Sequence, residues 1–498
     1  MNMSGVGLRS KLAVQGLVDM RRQLDDLQRQ LGTGQKSVTH AGLGLDRHLA
    51  VGLRAQLSSI DAYGGTMTML GVQLNVAQTA LTRMSDLRAD AKTALLQSAD
   101  IQTSGQSPAQ QSARGMLDEL LELLKSKSGD RYLFGGRAVD KPPVETVQHI
   151  LDGDGARAGY VQILDERAQA DLGADGKGRL VVTAAGSSVN LSEDVAGSPF
   201  GFKLNAASST LSGATVSGPS GSPPSVDVAF TANPNAGESV TLTLALPDGS
   251  RHTVKLVATD QSPPPPGHFT IGADPDETAA NFSAALNESI ETAAGTALTA
   301  ASALAAADDF FNIDAGNPPR RVDGPPFDTA TALRAADPAD TVFWYTGEMG
   351  AGSARTSSTV RIDEAVSVSY GMRANEEGIR WLVQNVAAFA AKRFDPADAD
   401  TPAQYGELMS RLAPALAIPA GTQKVEDIAS EIAGAQATIK ATQGRHLETG
   451  YALSGLLDQI TGVPFEQVGA EILALQTRLQ ASLQVTSITY QLSLANYV

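Results

Sequence analysis

Two hydrophobic periods divide the chain. Near the start, Leu17, Met20, Leu24, Leu27 and Leu31 follow one another at spacings of 3, 4, 3 and 4, with Arg21, Arg22, Asp25, Asp26, Gln28 and Arg29 between them. That spacing predicts a helix with one apolar seam, as in a coiled coil. After a glycine-bearing break from Gly32 to Gly44, a helical pattern runs through Leu53, Leu57 and Ile60 and on through Met67, Leu70, Leu74, Ala77, Leu81 and Met84. It predicts one long helix from 45 to about 100, with Gly64, Gly65 and Gly71 as weak points. A further helix is expected over 108–128, carrying Met116, Leu117, Leu120, Leu121 and Leu124. The C-terminal end behaves alike: Val425, Ile428, Ile432, Ala435, Ile439 and Thr442, then Leu453, Leu456 and Ile460, then a last helix with Val468, Ile472, Leu475 and Leu479. A single amphipathic helix is marginal alone, so these stripes must be buried against each other or against neighbouring molecules. An ordinary intramolecular bundle satisfies the same periodicity.

Between the ends the period changes to two. Val240, Leu242, Leu244 and Leu246 alternate with polar residues, Pro247-Asp248-Gly249-Ser250 makes a turn, and residues 253–258 return, which predicts a hairpin. Weaker strand candidates are 160–164, 180–183, 226–230, 341–345, and 359–362 with 366–370. Residues 276–293 read as a short helix with Phe282, Leu286 and Ile290, and 374–394 as a return to helix. The small-residue stretch 206–225 and the four prolines 263–266 flank the hairpin region. The expected fold class is therefore α+β: long N- and C-terminal helices forming a coiled coil or helical bundle, with β-rich outer modules inserted between them. The expected divisions are 1–140 and 374–498 for the helical ends, 141–189 with 316–373 for a β-rich middle module, and 190–315 for an inserted β-rich module.

The 498 residues are enough for several domains and contain no cysteine, which removes disulfides and thiolate chemistry. The net charge of -16 is unevenly placed: residues 140–373 carry 14 basic and 29 acidic side chains, whereas residues 1–60 carry 8 and 4. An acidic middle repels phosphate backbones, so no nucleic-acid partner is expected. No run of 18 apolar residues occurs, so no membrane insertion is expected. The first 30 residues reach no signal-peptide apolar run before Asp19 and Arg21, so export, if it occurs, is expected to use no cleavable signal.

The search for chemistry returns little. The six histidines are scattered singly, and there is no HExxH, phosphate loop, GxGxxG or GxSxG pattern, so no metal, cofactor or catalytic residue is expected. Asp152-Gly153-Asp154-Gly155 lacks the later carboxylates of a calcium loop and reads as a turn. Acidic pairs such as Asp308-Asp309, Asp363-Glu364 and Glu376-Glu377 read as solvated surface, and Arg320-Arg321 as loop charge.

Both termini resemble the bacterial flagellin family. Leu31-Gly32-Thr33-Gly34-Gln35-Lys36 is similar to the family's motif at the end of its first helix, and Ala77-Gln78-Thr79-Ala80-Leu81 to its second long helix. Residues 475–482 and the closing Gln491-Leu492-Ser493-Leu494-Ala495-Asn496-Tyr497-Val498 resemble the C-terminal end. Asp130-Arg131-Tyr132-Leu133-Phe134-Gly135-Gly136 and Tyr370-Gly371-Met372-Arg373-Ala374-Asn375-Glu376 look closest to the hook-filament junction branch, the third hook-associated protein. Two departures keep the bulk filament flagellin open: Ser37-Val38-Thr39-His40-Ala41 replaces the usual Asp- and Pro-rich segment, and the middle is longer than a junction protein needs.

The resemblance implies a structural, non-enzymatic subunit of the extracellular flagellum, exported unfolded without a cleavable signal. Its partners would be itself, other hook-associated proteins, flagellin and an export chaperone. The expected assembly interface is Leu17, Met20, Leu24, Leu27, Leu31, Leu74, Ala77, Leu81, Val468, Ile472, Leu475 and Leu479. A secreted coiled-coil adhesin is the rival from another class, and an enzyme hidden in the β-rich middle would need a clustered polar site.

Overall fold

The computed structural model describes residues 4–97 and 100–495. In chain order come α1 (Ser4–Thr33), a 3-10 segment (His40–Asp46), α2 (Arg47–Ala94) and α3 (Pro108–Leu124). A small hairpin of β1 (Lys127–Ser128) and β2 (Arg131–Tyr132) precedes α4 (Val147–Asp152) and α5 (Tyr160–Leu172). Eight strands follow: β3 (Leu180–Ala185), β4 (Ser188–Glu193), β5 (Lys203–Ser209), β6 (Ala214–Ser220), β7 (Ser225–Phe230), β8 (Ser239–Ala245), β9 (Arg251–Thr259) and β10 (His268–Thr270). Then come α6 (Pro275–Ala293), a π-helical turn (Ala294–Leu298) and α7 (Thr299–Phe311). Two short strand pairs, β11 (Arg320–Val322) with β12 (Leu333–Ala335) and β13 (Thr359–Arg361) with β14 (Ser367–Ser369), lead to the last four helices. These are α8 (Glu377–Ala391), α9 (Thr401–Ala417), α10 (Val425–Thr461) and α11 (Phe465–Ala495). The mixed α+β character agrees with the sequence reading, and no helix among the described residues is long and apolar enough to cross a membrane.

The chain divides into two compact units. A terminal unit comprises Met1–Leu70, Arg361–Ser367 and Ala437–Val498, and a central unit comprises Gly71–Val360 and Val368–Gln436. This division differs from the expected one, because α2 and α10 each contribute to both units.

Within the central unit, strands β3 to β10 form two four-stranded sheets, ordered β3-β4-β7-β6 and β10-β9-β8-β5. The β8–β9 hairpin is the one read from the alternation, with Leu244 opposite His252 and Ala245 opposite Arg251. Its turn is held by the Asp248 carboxylate, which accepts from the Ser250 N–H at 2.9 Å, an Asx turn. The inward residues of both sheets and the apolar face of α6 share one core, in which Phe230, Phe269 and Phe282 meet edge to face at 5.3 to 6.3 Å between centroids. Helix α6 starts where Asp274 accepts from the Glu277 N–H at 2.9 Å, with Pro275 next, the preferred N-terminal chemistry. Helix α3 starts on a reciprocal capping box between Ser107 and Gln110.

Several expectations are corrected. Residues 160–164 are not a strand but the start of α5, because Tyr160, Ile163, Leu164 and Ala170 place their side chains on one buried helical face. Residues 341–345 form only single bridges, Ala158 with Thr341 and Val144 with Tyr345, while the Trp344 indole N–H donates to the Phe311 carbonyl at 2.9 Å. Residues 141–189 are therefore more helical than β-rich. The two-sheet module begins at β3 rather than at 190, and the adjacent contact of Gly178 with Leu298 marks where the chain enters and leaves it. Helix α7 lies outside that module and packs on α5, α8 and α9, with Phe310 and Phe311 fully buried beside Tyr160.

The paired charges are also not all solvated. Asp309 is 6% exposed and sits between Arg167 at 2.7 Å and Arg320 at 2.8 Å. Burial pushes its carboxyl above the ordinary range, against the pull of both arginines. Arg321 is buried against Glu166, and Glu376 is nearly buried against Arg355. Of the helices that no clear periodicity announced, α4 packs on α3 and α5, and α9 packs on α7 and α8.

Candidate assembly interface

In the terminal unit the segment that follows α1 is fastened to the end of α10 and to the turn that leads into α11. The four carbonyls at a helix C-terminus lack intrahelical partners, and a cation is favoured there. Where α10 ends, Lys36 supplies both: its backbone N–H donates to the Thr461 carbonyl at 2.8 Å and its ammonium to the Ile460 carbonyl at 2.8 Å. The Val463 N–H donates back to the Gly34 carbonyl at 3.1 Å, and Gln35 bridges Gly462 in antiparallel sense. Gly34 has φ +69°, a conformation that favours glycine, and a Cβ there would stand 3.4 Å from the Phe465 ring. The segment 31–36 thus works as a clasp, and the two terminal helices lie side by side, running in opposite directions.

The residues expected at the interface fall into two groups. Leu17, Met20, Leu24 and Leu27 of α1 are half-buried and Leu31 is 41% exposed; on α11, Val468, Ile472 and Leu475 are buried and Leu479 is half-buried. Helices α1 and α11, which carry these residues, are in contact with each other. Leu74, Ala77 and Leu81 are fully buried in the central unit, where their helix is tied to α3 by the bidentate Arg83–Glu119 pair and to α10 by Arg88–Glu426. Their stripe is closed inside one chain and offers no surface to another.

What the periodicity did not reveal is a second apolar surface. Among the described residues, 17 of the 22 large hydrophobic side chains that stand exposed belong to the terminal unit. On α1 they include Leu12, Val14 and Val18, and on α11 Leu473, Leu483, Val485 and Ile488. Scattered exposed hydrophobics are ordinary, whereas a concentration on one set of helices marks a contact surface. A count of apolar residues off the 3-4 seam was the available signal.

The two internal segments that resemble the junction branch pair with each other in the central unit. Gly135 bridges Arg373, the Gly136 N–H donates to the Met372 carbonyl at 2.9 Å, and the Ala374 N–H donates to the Phe134 carbonyl at 2.8 Å. Gly136 has φ +64°, and a Cβ would collide with Glu348. The Glu376 carboxylate accepts from the Arg373 N–H at 2.9 Å and pairs with Arg355, which reaches Glu431 of α10 at 2.9 Å. Burial raises the Glu376 carboxyl above its ordinary range. The joint fixes the start of α8, although one guanidinium nitrogen each of Arg355 and Arg373 stays buried there without a hydrogen-bond partner among the described residues. The closing residues 496–498 of the C-terminal likeness lie outside the described residues. Compared with known protein families and with curated proteins, the chain matches none.

Proposed function

We propose that this chain is a structural subunit of the bacterial flagellum that self-assembles through its terminal helices, as the hook-filament junction protein. The observation that carries the reading is the apolar surface concentrated on α1, α2, α10 and α11. Only nine hydrophobic side chains of the terminal unit are buried among the described residues, Ala50, Leu53, Met67, Leu70, Ile362, Ile439, Val468, Ile472 and Leu475. A unit with so thin a core and so much exposed apolar area gains most of its stability when neighbours cover it. Repeated heterologous contacts of that kind build a helical tube, with α1 and α11 pairing as a coiled coil within it. The resemblance at 31–36, 130–136, 370–376 and 475–482 selects the flagellum over other assemblies, and the absence of cysteine suits export through a channel followed by folding outside. The acidic central unit would face outward.

Immunogold electron microscopy on intact flagella, with antibody against residues 180–298, tests this. A single band where hook meets filament is the expected result. Label along the whole filament replaces the junction protein with a bulk flagellin, and flagella without label overturn the flagellar reading in favour of a secreted adhesin.

A further inference from the structure

A cleft of about 830 Å³ opens in the central unit where the β8–β9 turn faces α7, α8 and α9. Its size falls in the range of small-molecule sites. Helix α8 is apolar and buried almost all round, yet Gln384 and Asn385 stand in its middle at 4% and 3% exposure. With Trp381 they occupy positions i, i+3 and i+4, so one face of the helix turns all three toward the cleft. Asn385 is fastened by its Nδ2, which donates to the Trp381 carbonyl at 2.7 Å, whereas Oε1 of Gln384 has no hydrogen-bond partner among the described residues. A buried amide oxygen without a partner is destabilising, and a leucine would fit a helix core better. Packing does not account for Gln384.

The charges around the cleft indicate which ligand. Arg167 is neutralised by Asp171 at 2.8 Å and Asp309 at 2.7 Å, Arg320 by Asp309 at 2.8 Å, and Arg411 by Asp248 at 3.3 Å. Each of these arginines already faces a carboxylate, and the Asp308 carboxylate, which also lines the cleft and has no ion-pair partner among the described residues, disfavours an anion further. What the walls offer instead is an amide and an indole whose N–H already donates to the Ala415 carbonyl at 2.7 Å, leaving its ring as the contact surface. An aromatic ring beside amide groups suits a neutral ring compound that has an apolar C–H face and hydroxyls at its edge. We propose that this cleft binds a short neutral oligosaccharide, with Trp381 under a sugar ring and Gln384 bonded to a hydroxyl. The inference is independent of the assembly reading.

The two tryptophans make the test direct, because Trp344 is fully buried and Trp381 is half-buried in the cleft. The full-length chain is titrated with maltose, cellobiose and N,N′-diacetylchitobiose while tryptophan emission is followed, with sodium sulfate as the anionic control. A saturable change with at least one disaccharide and none with sulfate is expected. Gln384→Leu should weaken that binding at least tenfold while melting at the wild-type temperature or above it; a purely structural glutamine would instead lower the melting temperature. Gln384→Met, closer in shape, serves if the leucine variant does not fold. No saturable change up to about 50 mM with any of the three sugars, an equal response to sulfate, or unaltered binding by the Gln384 variant each overturns the proposal.

Discussion

Leu475→Asp and Leu473→Asp, two residues apart on α11, separate pairing inside the chain from association between chains. Leu475 is 8% exposed and Leu473 is 67% exposed. Burial of a leucine side chain contributes about 1.5–3 kcal/mol, and an unpaired carboxylate in the same place adds a penalty of several kcal/mol. The sum, about 5 kcal/mol, reaches the lower end of the entire stability of a folded domain. With nine buried hydrophobic residues among those described, the terminal unit has little reserve. Leu475→Asp should therefore release α11 from α1, seen as rapid proteolysis of both helices, while the melt of the central unit stays unchanged. Leu473→Asp, at an exposed site, should alter the stability of the isolated chain by no more than about 0.5 kcal/mol, yet prevent incorporation into flagella when it replaces the wild-type chain. Isolated flagella probed by immunogold and blotting read the outcome. Wild-type incorporation of Leu473→Asp would refute the exposed face of α11 as an assembly surface. An unchanged proteolysis pattern for Leu475→Asp would refute its place in the helix pair.

Gly34→Ala should weaken the clasp by about 1–2 kcal/mol, the cost of a left-handed residue with a Cβ, and limited proteolysis should then cut near 34–37 first; equal resistance of mutant and wild type would count against the clasp. Glu238 accepts from the Ser212 and Asn235 backbone N–H groups at 2.8 and 3.0 Å, and these bonds with the Asn235 side chain hold its carboxyl at about 2, below the ordinary 4.5. Because the folded value is depressed, the stabilisation is fully present above pH 4.5 and fades as pH falls toward 2. Glu238→Gln should flatten the pH dependence of thermal stability in that window, and superimposable profiles would contradict the assignment. Deleting 190–315 should abolish folding of the central unit, since it removes most of β4, which leaves β3 without its partner, and removes Phe310 and Phe311; excision of 180–297 with a short linker, cut where Gly178 meets Leu298, should leave α7 and α8 packed. Circular dichroism melts of the two deletions compare them, and a cooperative melt of the first would show that α7 is dispensable.

The sequence by itself determined which segments are helices with an apolar stripe and where the chain alternates. Helices α1, α2, α10 and α11, helix α6 and the β8–β9 hairpin follow from local spacing and end signals, because those patterns are written in side-chain order. It did not determine what covers each stripe. Leu24 and Leu81 sit in identical 3-4 patterns, yet one is half-buried in the terminal unit and the other fully buried in the central unit, since the partner surface comes from distant parts of the chain. The same limit made 160–164 look extended and made Asp309 and Arg321 look like surface charge. Only the tertiary structure brought α7 against α5, Glu166 to Arg321, and the β8–β9 turn opposite Gln384. A residue's own neighbours in sequence fix its conformation, but its burial, its charge state and its availability to a partner depend on what folding places beside it.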